Sequence, residues 1–166
     1  MYAVVEGEGA KVPFLGVESA HTSLYNEAAT DIIARLCIWA GFHSERIGAG
    51  TVFNIADETR PSRMSKRWLA LAEYFKLEGI GPVDDPSVLR PGEYIKKHQH
   101  VLAKHGIRRN MVFQTDFLDG YGYYQNFDRQ LSLDKTRSTG FLEETDPISS
   151  WFKAFDRLKN AGMIPR

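Results

Sequence analysis

The residues best suited to chemistry crowd into one run: Asp116, Phe117, Asp119, Tyr121, Tyr123, Tyr124, Phe127, Asp128 and Arg129, with Gly120 and Gly122 between them. Aromatic walls with a few polar groups suit a small, largely apolar ligand, and phenols and carboxylates can give or take a proton. Tyr121, Tyr124, Asp119 and Asp128 are therefore the expected acid–base groups. Phe117, Tyr123 and Phe127 are the expected walls. A plainer reading of the same rings is that they fill the core of a small domain while the charges face water. His21, just beyond the extended piece ending at Gly16, is a further candidate at a pocket mouth; its plainer reading is a solvated or hydrogen-bonded loop histidine.

The other chemistry-bearing residues point elsewhere. His98 and His100 are two apart, so they diverge on a helix. His21 and His43 have no Asp, Glu or His at ligand spacing, and no metal site is expected. Cys37 falls inside an apolar helical pattern and is expected as a small core residue. Lys96, Lys97, Arg108 and Arg109 make a mild basic patch beside Asp84, Asp85 and Glu93, which reads as a solvated face.

The elements that must position these groups are mostly helical. Met1–Val5 reads as the tail of a helix, broken at Gly7 and Gly9 before a short extended piece, Lys11–Gly16. A helix capped at or before Thr30 runs to Ala40, with Gly41 as its stop. Its apolar residues, Ile32, Ile33, Leu36, Cys37, Ile38 and Trp39, circle most of the circumference, so it is expected to be buried on several sides. Thr51–Ile55 is β-branched and apolar and reads as a strand. A helix starts at Pro61-Ser62, carries Met64, Trp68, Leu69, Leu71, Ala72 and Phe75, and ends at Gly79. A polar helix spans about Pro91 to His105. The last helix has Asp146 as N-cap, Pro147 at its first position and a stripe of Ile148, Trp151, Phe152, Phe155 and Leu158. The fold class is α/β, mostly helical, with one or two short parallel strands.

Composition narrows the class of function. With 166 residues a single domain, residues 1–166, is expected. Lys+Arg and Asp+Glu number 21 each, so the chain lacks the basic field that nucleic acids and acidic membranes require. One cysteine excludes an intrachain disulfide and a Cys-rich zinc site. The longest apolar run, Ile32–Ala40, is too short to span a bilayer and carries Arg35. No secretory signal is visible. A cytoplasmic protein is the expectation.

A family resemblance follows from the ordered set of segments. Ser132-Leu-Asp-Lys135-Thr-Arg137-Ser-Thr-Gly140-Phe141, the helix with Trp151 and Phe152, and Met163-Ile-Pro165 resemble the end of atypical extended short-chain dehydrogenase/reductases. The subgroup is the progesterone 5β-reductase/iridoid-synthase-like one, within the NAD-dependent epimerase/dehydratase family. Val12-Pro-Phe-Leu-Gly16 resembles the strand after that family's catalytic region. Thr30–Ala40 resembles its next buried helix, and Val52–Asp57 followed by Met64–Phe75 resembles its late Rossmann strand and the helix behind it. The resemblance implies a substrate domain whose pocket is lined by the Asp116–Arg129 stretch, with Trp151 among the substrate-binding residues.

The family's cofactor machinery has no counterpart in these residues. Its Gly-rich turn sets backbone N–H groups and a helix N-terminus against a pyrophosphate. Here Gly7-Glu-Gly9 has no third glycine, and Gly48-Ala-Gly50 precedes the expected strand instead of following one. The family's Tyr, four residues before a Lys, is matched by none of the tyrosines. The expectation is an enzyme acting without NAD(P) on a small apolar metabolite by isomerisation, cyclisation or dehydration, needing only a shaped pocket and one or two acid–base groups. An incomplete NAD(P)-dependent oxidoreductase and a non-catalytic binding or interaction protein are the alternatives. A naturally short gene product is favoured over a fragment because the chain starts at Met and the cut falls at a usable place. The strand near Val52–Ile55 would leave a bare sheet edge, so a homodimer, or a partner covering that edge, is expected.

Overall fold

The computed structural model describes residues 2–105 and 118–164. Its elements are α1 (Tyr2–Glu6), β1 (Lys11–Pro13), α2 (Glu18–Thr22), β2 (Leu24–Tyr25), α3 (Thr30–Phe42), β3 (Ser62–Arg63), α4 (Met64–Tyr74), β4 (Glu78–Ile80), α5 (Pro91–Lys104), a wide π-type turn (Gly120–Tyr124), α6 (Asp134–Ser138) and α7 (Pro147–Asn160). They divide into two compact units. The first takes residues 1–23, 63–127 and 152–166, and the second takes 24–62 and 128–151. Each unit is built from separated stretches of chain. Among the described residues, no helix is long and apolar enough to cross a membrane.

The first unit is organised by a parallel pair. Gly7 and Gly9 take positive φ, 89° and 79°, and turn the chain from α1 into β1. β1 pairs with β4 in the register Lys11↔Glu78, Val12↔Gly79, Pro13↔Ile80. The ladder continues at both ends, with Glu78 N–H donating to the Ala10 carbonyl (3.0 Å) and Phe14 N–H to the Ile80 carbonyl (2.9 Å). Helix α4 lies on this pair so closely that a Cβ on Gly79 would stand 3.0 Å from Ala72 Cβ and 3.3 Å from Leu69 Cα. The core comprises Val12, Phe14, Ala20, Met64, Leu71, Ala72 and Tyr94, and the Tyr94 hydroxyl donates to Glu6 (2.8 Å), tying α5 to α1. Tyr74 and Phe75 pack against Phe152 and Phe155. Tyr74 donates its hydroxyl to Asp156, and that bond pushes the phenol up to about 12.

The second unit is braced by side chains more than by strands. Its core is Tyr25, Ile32, Ala56, Leu133 and Phe141, with Asp57 and Thr136 buried beside them. The Asp57 carboxylate accepts the Ala29 N–H (2.7 Å) at the start of α3, where a negative charge also meets the helix dipole. Glu144 gathers the Thr59 N–H (3.0 Å), the Thr59 hydroxyl (2.5 Å) and Arg137 (3.1 Å). The hydrogen bond from the Thr59 hydroxyl, aided by the Thr59 amide and Arg137, holds the Glu144 carboxyl below its ordinary value.

Several expectations change at this level. Residues 51–55 form no strand: Val52 offers its carbonyl to Lys135 (2.9 Å) and Asn54 offers its own to Thr136 (2.5 Å), so side chains of α6 take the place of a ladder. The bare sheet edge expected there is consequently not present. Helix α3 runs through Gly41 and stops at His43, whose Nδ1 bonds the Trp39 carbonyl (2.8 Å) while its ring stacks on Trp39. Nor is α3 buried on several sides: Ile32 is enclosed, but Ile33, Ile38 and Phe42 are exposed, Phe42 by 80%. Cys37 lies on that open side and is no core residue. Helix α4 ends at Tyr74 ahead of Lys76, which takes the left-handed conformation (φ 59°), and Gly79 is a strand residue.

Two outcomes follow from these braces. Asp146 accepts the Ser149 N–H (2.9 Å) and hydroxyl (2.7 Å) at the start of α7. Asp146→Ala is expected to cost about 1 kcal/mol in urea unfolding, with Asp146→Ser recovering most of it. Glu144 has a folded-state pKa below its unfolded one, so its contribution is present above the ordinary glutamate pKa of 4.5 and lost as pH falls through the lower folded value. The stability gap between wild type and Glu144→Gln should therefore close between pH 7 and strongly acidic solution.

Candidate functional site

In open parallel sheets, ligands bind beyond the carboxyl ends of the strands. In the first unit that position is occupied by the Phe14–Val17 turn, helix α2 and the Gly120–Tyr124 turn. Beyond β1 the chain runs through Phe14, buried edge-on against Trp68 (centroids 5.7 Å apart). Trp68 is held in turn by its Nε1, which donates to the Val12 carbonyl (3.3 Å). The next turn brings His21 back over Phe14, their rings 5.0 Å apart. Its side chain is only 13% exposed, and it lies beside Gly81, the residue that follows β4: a Cβ there would stand 3.9 Å from His21 Cε1. Glu18 is 3.9 Å from His21 Nδ1 and pairs with it when the ring is protonated.

The aromatic segment reaches the same place by a backbone contact. Val17 N–H donates to the Gly122 carbonyl (2.8 Å). A Cβ on Gly122 would lie 1.9 Å from the Leu15 carbonyl oxygen, and one on Gly16 would lie 2.4 Å from Gly122 Cα. Both positions must be glycine for the turns to meet. The Gly120–Tyr124 turn is wider than an α-turn, closed by Gln125 N–H to the Gly120 carbonyl (2.9 Å). Wide turns of this type recur at functional sites.

Tyr123 is half-buried in this turn. Its ring carries the Arg90 guanidinium at 4.5 Å from the centroid. Arg90 also reaches Asp119 (3.6 Å), whose side chain is only 15% exposed. Burial pushes the Tyr123 phenol up; Arg90 opposes this, while Asp119 and Glu93 add to it. The phenol is accordingly a proton-bearing donor at neutral pH.

The expected site residues fall in different places. His21, Asp119, Tyr123, Tyr124 and Phe127 belong to the first unit, with Tyr124 63% exposed and Phe127 also exposed. The backbone of Tyr121 lies in the turn, but its side chain, like all of Phe117, is outside the described residues. Asp128 and Trp151 belong to the second unit. Asp128 accepts the Leu24 N–H (2.8 Å), and Trp151 donates to Glu27 (2.8 Å). Arg90, Phe14 and Trp68 complete the site and escaped the sequence reading. Arg90 stands before a Pro-Gly helix start, which signals a boundary and says nothing of a distant tyrosine.

The same helices test whether a dinucleotide fits. A pyrophosphate needs a helix start with free N–H groups. α3 begins on the Asp57 carboxylate, and α7 on Asp146. At α5, Asp119 approaches the Gly92 N–H (3.5 Å) and Glu93 accepts that of Arg90 (3.2 Å). α4 follows β3 without an intervening glycine. Among the described residues, three helix starts are therefore filled by carboxylates, and the start of α4, which has no side-chain cap, has no Gly-rich turn before it. Among the described residues, too, no three His, Cys, Asp or Glu side chains gather as a metal site.

Comparison with known proteins places this arrangement. The chain is 30% identical over 180 residues to short chain dehydrogenase sirR of Leptosphaeria maculans, covering 99% of the chain and 44% of that protein. It is 28% identical over 170 residues to short chain dehydrogenase ausT of Aspergillus calidoustus, covering 99% and 41%. Against the (S)-8-oxocitronellyl enol synthase of Antirrhinum majus it is 21% identical over 169 residues, covering 98% and 42%. The chain thus spans about two fifths of the length of the curated relatives it matches. The short-chain-dehydrogenase resemblance extends over its whole length, and residues 1–165 match the PRISE-like Rossmann-fold domain. The chain, mostly helical with a short parallel pair, belongs to the PRISE-like Rossmann-fold domain family.

Proposed function

We propose that this chain holds a small, largely apolar carbonyl metabolite in the first unit and moves a proton on it without NAD(P). The observation that carries this is that His21 lies over Phe14 at the carboxyl end of the β1–β4 pair, while the turn carrying Tyr123 is bonded to Val17 at the start of the same helix, α2. Phe14 and Trp68 supply the apolar wall. The phenol donates to the ligand's carbonyl oxygen while His21 takes a proton from the adjacent carbon, giving an enol. Returning that proton to another carbon is an isomerisation, and attack by the enol within the ligand is a cyclisation. Dehydration follows when a hydroxyl leaves from the neighbouring carbon. The name of the Antirrhinum relative, an enol synthase, supports this direction. Tyr121 and Tyr124 remain further acid–base candidates of this proposal; Asp119 is engaged by Arg90 and the Gly92 N–H, and Asp128 and Trp151 are assigned to bracing the second unit. The cytoplasm is the proposed place of action.

A second reading has its own support. The relatives are more than twice as long and most are named dehydrogenases, which favours a substrate-binding portion of an oxidoreductase that works with further chain. Proton–deuterium exchange beside the carbonyl of octanal, followed by NMR in deuterated buffer, tests the first reading. His21→Ala and Tyr123→Phe should each slow exchange by about 10²-fold or more; exchange no faster than in buffer would remove it. Under the first reading NADPH leaves the melting temperature unchanged, and a saturable rise would favour the second.

The open side of α3 supports a covering partner. Ile33, Cys37, Ile38 and Phe42 are exposed along α3, and Arg35 among them is paired with Glu143, so apolar surface is open to a second copy, and self-association is the proposed cover. Light scattering should give a dimer that Phe42→Lys converts to monomer. A wild-type monomer at high concentration would refute this.

A further inference from the structure

Arg90 is absent from every expectation drawn from the sequence, yet it makes three connections at the site. Its N–H is held by Glu93 (3.2 Å), which fixes the residue at the mouth of α5. Its guanidinium lies over the face of Tyr123, 4.5 Å from the centroid, and reaches Asp119 at 3.6 Å. Asp119 then closes a loop. Its carboxylate approaches the Gly92 N–H, and its carbonyl accepts the Tyr123 N–H (2.9 Å). Helix start, carboxylate, tyrosine and guanidinium form one ring of contacts. Arg90 is 49% exposed and Asp119 mostly enclosed, so the cation caps the tyrosine from the solvent side while the anion supports it from within.

We infer that Arg90 and Asp119 are positioning residues that hold the Tyr123 ring in one orientation, so that its hydroxyl meets the carbonyl of a bound ligand from a fixed direction. This rests on the proton-transfer reading of the site, and it deepens it by naming what orients the donor. The planar guanidinium matters here. A lysine would supply the charge without a face to lie on the ring. The opposed charges also leave a signature. The cation over the ring favours the phenolate, and the carboxylates of Asp119 and Glu93 disfavour it. The turn also packs against α2, whose titratable residues are Glu18 and His21.

The experiment is a titration of the intact chain labelled with ¹³C at the tyrosine ζ carbon, with the Tyr123 resonance identified by its loss in Tyr123→Phe. Arg90→Gln should raise the Tyr123 pKa and Asp119→Asn should lower it, each by roughly half a unit or more. A merely structural clamp predicts something different: either substitution would loosen the turn, expose the ring and move the pKa the same way, toward 10. Shifts of the same sign, or none, overturn the inference. Arg90→Lys should keep the wild-type titration yet slow octanal exchange about tenfold through lost orientation; exchange equal to wild type in that variant also overturns it. The titration needs no ligand, so wild-type chain without exchange activity would remove the proton-transfer reading alone, while same-sign shifts remove the positioning role alone.

Discussion

The site depends on two backbones that touch. Leu15-Gly16 and Gly122 approach until no Cβ fits on either glycine, and the Val17 N–H reaches the Gly122 carbonyl. That contact fixes the turn carrying Tyr123 against the start of the helix carrying His21. Interior packing leaves little room for adjustment, and adding even a methyl group to such a contact forces backbone shifts. Gly79 serves the same purpose a layer below, where α4 rests on β4. Phe14 and Trp68, and His21 above them, are placed by this pair of close approaches. The chemistry of the site is set by where the backbone lacks side chains as much as by the side chains it bears.

Carboxylates dominate the rest of the architecture, and they constrain the function. Asp57, Asp119 with Glu93, and Asp146 stand at the starts of α3, α5 and α7. Each satisfies N–H groups that a helix otherwise leaves open, and each gains from the dipole. The same placement puts negative charge where a pyrophosphate would have to sit. In this stretch of a Rossmann-fold family the starts of α3, α5 and α7 are thus already filled, while α4 begins without a side-chain cap. What the stretch does hold is a protonated phenol in the Gly120–Tyr124 turn and, on α2, a histidine packed on Phe14.

Much of this was legible in the residues, for identifiable reasons. α7 and α5 declared themselves because Asp146-Pro147 and Pro91 are local start signals and their stripes keep a helical period. The Gly120–Tyr124 segment was marked by its rings alone. Other features depended on distant chain and left no local trace. Thr51–Ile55 has the composition of a strand, but Lys135 and Thr136 take its carbonyls. The residues Glu78–Ile80 look like the end of a helix and its stop, but they pair with β1 because Lys76 turns the chain early. Asp128 reads as a catalytic carboxylate and is bonded to the Leu24 amide. Arg90 meets Tyr123 only through the fold.

Helix α3 shows how a correct pattern can be read into the wrong surroundings. Ile32 is enclosed and Leu36 and Trp39 half-buried, as one apolar face requires. Ile33, Ile38 and Phe42 carry apolar surface further around the cylinder, interrupted by Arg35, which pairs with Glu143. Yet they face water, with Ile38 61% exposed. Periodicity reports the environment a helix is built for; it does not say which polypeptide supplies that environment. An apolar arc of this breadth on a chain with equal numbers of acidic and basic residues lowers solubility unless it is covered. The composition of α3 thus explains why the sequence reads as a buried helix although only the Ile32 side is enclosed.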